Sequence, residues 1–328
     1  MAGSLIRGHR RMKPVANAGN SVDSPPPVRI DDPTLIAHRG FAGAYPENTH
    51  AAMREATAPT KRPAESAQST CFVADAVEID VVPCASGELV VFHDAFLDRL
   101  TDAPVDAANR TIWETPLDRL RELEILDSGE TVPLLVELLE TIPERVPVTV
   151  ELKNPGTTPA RTYRDLPDAR QASYDRAWEA SVESFVEVID GFGHDFLVTS
   201  SFEGALRAMN DVAPEIPLGY FFGKSIETGM EITRRYDAEV CCPPRTAIPA
   251  TSFFNDAYDD LSDGGFEQCD LVSIAHAEGR AVYAWTIDTR RQAAELRAAG
   301  VDGLLSDYPG LLGPDDRTVS STAKPADD

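Results

Sequence analysis

A chain of 328 residues that is 42% hydrophobic can bury one large core or two small ones. Its formal charge of -24, from 54 acidic against 30 basic residues, excludes nucleic acid and anionic membrane surfaces as default partners and leaves a small molecule. So acidic a chain also suits hydration in concentrated salt, which predicts a halophilic, acidic-proteome setting.

Residues 1–30 set five bases (Arg7, Arg10, Arg11, Lys13 and Arg29) against Asp23, with a Pro-Pro-Pro run, and residues 1–32 predict a disordered arm. TLIAH (34–38) then leads, through glycines and a helical pattern at 48–58, to AVEIDVV (76–82). The tetrapeptide CASG joins that run to ELVVFH (88–93), which is hairpin spacing. Helical patterns at 133–141 and about 165–190 precede PVTVEL (147–152) and FLVTSSF (196–202). Others at 203–211 and 225–236 precede PLGYFF (217–222) and AEVCCP (238–243). The last two, at 268–278 and 289–299, precede AVYAWTI (281–287) and DGLLS (302–306). In the final helix Thr289 and Gln292 form a capping box and Gly300 stands at C′. Residues 314–328 are polar and predict a disordered tail.

No run of about 18 apolar residues exists, so no integral membrane segment is expected. Five cysteines (Cys71, Cys84, Cys241, Cys242 and Cys269) are an odd number at no metal-ligand spacing. With no apolar stretch behind the N-terminal charges to make a secretory signal, they point to a reducing, cytoplasmic setting.

Most of the strand-like runs are continuously apolar, the pattern of strands covered on both faces. Nine runs less one returning hairpin arm leave eight parallel candidates. That alternation predicts an α/β fold, a (β/α)8 barrel over residues 33–313 with a β-hairpin excursion after strand two. In such a barrel, chemistry belongs at the strand C-terminal ends.

Those ends carry His38 and Arg39, Glu78 and Asp80, His93 and Asp94, Glu151 and Lys153, Phe202, and Trp285. Glu78 and Asp80, two apart in a strand, share a face, and Glu151 arrives from another strand. Two arrangements are open. The carboxylates hold one divalent cation, for which all-oxygen ligation selects Mg2+ or Ca2+ over zinc, or they pair with Arg39 and Lys153 as an ion network. Two histidines at one rim suit acid–base chemistry, one withdrawing a proton while the other donates one. Arg39 and Lys153 offer positive charge to a phosphoryl group. A cation with an acid–base pair implies phosphodiester cleavage.

The ordered set HRG…PENT, E-x-D, HD, E-x-K, SF, WT and GVDG…SDYP, over residues 34 to about 312, resembles the glycerophosphodiester phosphodiesterases, of the phospholipase C-like phosphodiesterase superfamily. The resemblance implies a TIM barrel and metal-dependent hydrolysis of glycerophosphodiesters to glycerol 3-phosphate and an alcohol. It makes His38 and His93 the acid–base pair, within which we assign His38 as base and His93 as acid. Glu78, Asp80 and Glu151 become metal ligands, and Arg39 and Lys153 phosphate contacts. Glu47 of PENT becomes a partner of Arg39, and Phe202 and Trp285 walls of the site. Ser86-Gly87 replaces the usual Asp-Gly turn, Leu134 stands where a capping threonine is common, and 61–70 lengthens a connection. Only a short insertion, at 98–132, follows the HD segment, so the leaving alcohol is open. Related phosphodiesterases use a substrate hydroxyl as nucleophile and release a cyclic phosphate, or act on lysophospholipids. A catalytically silent barrel that binds phosphorylated ligands is the alternative outside enzymology. Oligomeric state is not readable.

Overall fold

The computed structural model describes residues 32–60, 71–104, 110–257 and 265–312. The expected arm lies outside these residues except for Asp32, and the expected tail and the long connection at 61–70 lie wholly outside. The strands are β1 (Thr34–Ala37), β2 (Pro59–Thr60), β3 (Cys71–Phe72), β4 (Ala76–Pro83), β5 (Leu89–Val91) and β6 (Val148–Leu152), then β7 (Phe196–Ser200), β8 (Leu218–Phe221), β9 (Val240–Cys242), β10 (Ala281–Ile287) and β11 (Gly303–Ser306). The helices are α1 (His50–Ala56), α2 (Leu117–Leu120), α3 (Leu135–Thr141) and α4 (Asp168–Ile189), then α5 (Glu203–Val212), α6 (Ile226–Arg235), α7 (Leu271–Ala277) and α8 (Arg290–Ala298).

Strands β1, β4, β6, β7, β8, β9, β10 and β11 pair in parallel in that order, and β11 returns to β1 to close the eight-stranded barrel. The expected hairpin is present, with β5 antiparallel to β4. A short separate ribbon joins β2 to β3.

Strand alternation explains why nearly every barrel residue is apolar. Ile36, Leu197, Phe221, Cys242 and Leu305 turn into the barrel interior. Their neighbours, such as Leu35, Val198 and Leu304, turn outward into the layer shared with the helices. Trp178 and Phe185 of α4 are fully buried in that outer layer. Burying side chains of that size contributes about 1.5–3 kcal/mol each. A third cluster lies apart, where Phe92, Leu97, Leu100, Ile112, Leu120 and Val132 pack beneath the chain between β4 and α3. What reads in sequence as a short insertion is thus an excursion with a core of its own.

Side-chain caps start four of the eight described α-helices, α1, α6, α7 and α8. Side chains of Thr49, Ser225 and Asp270 each accept an N–H from the first turn of α1, α6 and α7. Asp270 therefore starts α7 at Leu271, later than the apolar pattern suggests. The capping box of Thr289 and Gln292 is present, and Gly300 follows α8 at φ +82°. Leu134 precedes α3 without a side-chain cap.

Candidate active site

The carboxylate site follows from strand register. Asp80 of β4 lies directly opposite Glu151 of β6, and Glu78 is two residues back on the same face. Oxygens of Glu78, Asp80 and Glu151 lie within 4.8 Å of one another, and all three residues are buried. Mutual repulsion at that spacing requires compensation.

Part of it comes from cations of the chain. Lys153 Nζ lies 2.8 Å from Asp80 Oδ1 and 2.6 Å from Glu151 Oε2. Arg39 Nε lies 3.2 Å from Asp80 Oδ2, to which Asn48 Nδ2 also donates at 2.8 Å. The backbone N–H of Arg39 donates to Glu78 Oε2 at 2.9 Å, while Glu78 Oε1 is buried without a hydrogen-bond partner. The ion network anticipated from the sequence therefore exists; among the described residues Asp80 Oδ1, itself without a hydrogen bond, has Lys153 beside it, and Glu78 Oε1 has neither a hydrogen bond nor an ion pair. Burial, reinforced by Asp80, pushes Glu78 well above the usual carboxylate range. Burial acts the same way on Asp80, but Lys153, His93 and Arg39 outweigh it and hold that carboxyl well below its ordinary value. An orphaned buried oxygen among three carboxylates, an all-oxygen donor set, fits a divalent cation of the Mg2+ or Ca2+ kind.

The first histidine stands on a sharp turn. The strand ends at Ala37, one residue earlier than its apolar run implies, and the chain enters a 3-10 turn at His38–Gly40. Arg39, Gly40 and Phe41 all have positive φ, at 51°, 78° and 69°. For Arg39 and Phe41 that is an uncommon conformation, held by packing and by the N–H bond to Glu78. Gly40 could not be replaced cheaply, since a Cβ there would meet Ala52 Cβ at 2.6 Å. The turn projects the His38 ring so that its Nδ1 lies 2.6 Å from Asp307 Oδ1, just beyond β11.

His93 follows β5, and its Nδ1 lies 2.6 Å from Asp94 Oδ1. Burial, aided by Lys153, holds this imidazole below its ordinary value, against the opposing pull of Asp80 and Asp94. With Nδ1 committed to a carboxylate, each ring directs Nε2 away as its remaining proton-transfer atom.

Glu47 is buried and saturated with arginine. Its Oε1 accepts from Arg39 Nη1 at 3.0 Å and Arg99 Nη2 at 3.0 Å, and its Oε2 from Arg99 Nη1 at 2.9 Å. Arg99 also reaches Asp94, with Nε donating to Oδ2 at 2.6 Å and Nη2 to Oδ1 at 2.8 Å.

The aromatic residues separate. Trp285 sits with the barrel-interior side chains, 6.0 Å from Phe221 between ring centres, and its Nε1 donates to the Cys242 carbonyl. Phe202 precedes α5 and packs in the outer layer, 5.6 Å from Trp178, with Arg161 over its ring at 5.3 Å. It is 9% exposed, so little of its surface is available to wall a site. Cys241 and Cys242 are buried as a strand pair.

Three residues at this rim were not assigned roles from the sequence, Asp94, Asp307 and Arg99, and a fourth, Asn48, read only as a candidate cap for the next helix. Asp94 and Asp307 fall in the HD and SDYP segments, which the ordered motif already marks. Arg99 carries no comparable signal, because its meaning depends on where the excursion folds.

Comparison with known proteins bears on this arrangement. A family model described as the glycerophosphoryl diester phosphodiesterase family matches residues 38–311. A glycerophosphodiester phosphodiesterase of Bacillus altitudinis is 26% identical over 278 residues, covering 84% of this chain and 94% of that protein. A lysophospholipase D of Mus musculus is 23% identical over 288 residues, 84% of each chain. Among solved structures, a phosphodiesterase of Oleispira antarctica in complex with the product sn-glycerol-3-phosphate superposes with a TM-score of 0.63. It has 27% identity and covers 84% of this chain and 94% of its own. A Thermotoga maritima glycerophosphodiester phosphodiesterase, 18% identical with a TM-score of 0.55, covers 84% of this chain and 95% of its own and shares the fold.

Proposed function

This chain belongs to the glycerophosphoryl diester phosphodiesterase family, and on that premise we propose that it hydrolyses glycerophosphodiesters to glycerol 3-phosphate and an alcohol. The single observation that carries the mechanism is the pair of imidazoles, each fixed at Nδ1 by an aspartate, at the rim that holds three clustered carboxylates.

In this reading His38 Nε2 withdraws the proton of the attacking water, and Asp307 stabilises the imidazolium that results. His93 delivers a proton to the departing alkoxide, a role suited by an imidazole that burial makes more acidic. Arg39 and Lys153 face the phosphoryl oxygens, and Glu47 keeps the Arg39 guanidinium in place. Glu78, Asp80 and Glu151 would hold one Mg2+ or Ca2+, which when bound supplies charge that polarises a phosphoryl oxygen. Among the described residues no helix is long and apolar enough to cross a membrane.

The test is an assay of a glycerophosphodiester panel with each cation and after chelation, with phosphorus NMR of early products. Release of glycerol 3-phosphate, loss of rate on chelation and inactivity of His38→Ala and His93→Ala are expected. An accumulating cyclic phosphate would replace water by a substrate hydroxyl as the nucleophile. Binding without turnover would leave the silent barrel.

A further inference from the structure

Two facts about the excursion point in one direction. Arg99 is the sole described residue bonded to both Glu47 and Asp94, and it makes four hydrogen bonds to them. Its neighbours Leu97 and Leu100 are fully buried in the separate core of the excursion, which fixes where the guanidinium can reach. The result is an unbroken chain of alternating charge. Asp80 pairs with Arg39, Arg39 with Glu47, Glu47 with Arg99, Arg99 with Asp94, and Asp94 with Nδ1 of His93.

We propose that Arg99 is the positioning residue for His93: anchored by the excursion's own core, its forked guanidinium locks Asp94 against Glu47 and thereby sets the direction in which His93 points. The proposal rests on the two-histidine reading above. A planar fork with several donors suits this task, because it fixes the orientation of two carboxylates at once, as a single ammonium cannot. Asp94 is the only carboxylate bonded to His93 Nδ1 among the described residues. Released from Arg99, it would rotate and carry the imidazole with it. An exposed ion pair ordinarily contributes little to stability. Arg99 is 48% exposed in its side chain, yet its Glu47 partner is 6% exposed and joined to Arg39, so the bridge connects surface to site.

The experiment uses the full chain with glycerophosphocholine as probe and compares wild type, Arg99→Ala, Arg99→Lys and His93→Ala. Arg99→Ala is expected to lower kcat about a hundredfold, the scale of a misplacement of about 1 Å, with KM changed less than about threefold. Millimolar guanidinium should restore Arg99→Ala at least about tenfold while leaving His93→Ala inactive, a rescue that a merely stabilising role cannot produce. Arg99→Lys keeps the charge and loses the fork, so it should remain at least about tenfold below wild type. It also decides the matter if Arg99→Ala fails to fold. Wild-type kcat in Arg99→Lys, or an Arg99→Ala enzyme within about threefold of wild type or deaf to guanidinium, overturns the proposal. A fully active His93→Ala overturns the two-histidine reading instead, so the two failures are distinguishable.

Discussion

Asp307 Oδ1 lies 2.6 Å from Nδ1 of His38, so the last strand of the barrel fixes the imidazole that follows the first. Barrel closure through the β1–β11 pairing, with Ala37 opposite Ser306, is what makes these distant residues neighbours. Asp307→Asn should keep the fold and lower kcat by about a hundredfold or more, because an amide no longer selects the tautomer or stabilises the imidazolium. Steady-state rates at saturating substrate measure this, and near-normal turnover would remove Asp307 from the mechanism.

Glu151→Gln removes a carboxylate from the cluster and half of the clamp on Lys153. The cation concentration for half-maximal activity should rise by about tenfold or more. Titration of chelated enzyme with Mg2+ and with Ca2+ reads this out. Activity that survives exhaustive chelation would end the metal proposal.

Gly40→Ala and Gly204→Ala separate activity from stability. At Gly40 a side chain meets both a φ of +78° and Ala52, in the turn that projects His38. At Gly204 it meets Trp178 and Tyr174 at 2.4 Å each, in the outer layer. Both should lose about 1–3 kcal/mol in denaturant unfolding. Only Gly40→Ala should also lose kcat when both are assayed well below their melting temperatures.

Tyr174 and Tyr283 are both pushed up to about 12, chiefly by burial. A folded-state value above the unfolded one gives stability that is complete below about pH 10 and drains away as pH rises toward 12. Urea unfolding between pH 9 and pH 12, taken as approximate limits of that window, should show the decline. Tyr174→Phe should make it shallower, at a cost of about 1 kcal/mol at neutral pH for the lost bond to the Ala160 carbonyl.

The acidic excess of the chain gives a fifth test. If this surface is adapted to salt, screening of its self-repulsion should raise the melting temperature as KCl approaches molar concentration. A flat or falling dependence would count against it.

Much of the barrel was legible because its strands are buried on both faces and therefore read as apolar runs. Ion-bearing residues stood out as interruptions: Glu78 and Asp80 in β4, Glu151 in β6. The hairpin was visible in four residues, CASG. What escaped was everything that depends on tertiary return of the chain. Asn48 and Thr49 of PENT both read as caps for the next helix; Thr49 is the cap of α1, and Asn48 turns instead to Asp80. Arg99 lies among ordinary surface charges in sequence and acquires partners only because Leu97 and Leu100 anchor the excursion. Nor did the position of Phe202 at a strand end reveal that it packs outward on Trp178.

The two histidines are mounted differently. His38 stands on the turn that leaves β1 of the barrel, whereas His93 follows Phe92, whose side chain belongs to a buried cluster apart from the barrel's. Close-packed cores resist deformation internally. The two imidazoles are therefore seated on separately packed clusters, joined across the rim by the ion pairs of Arg39, Glu47, Arg99 and Asp94.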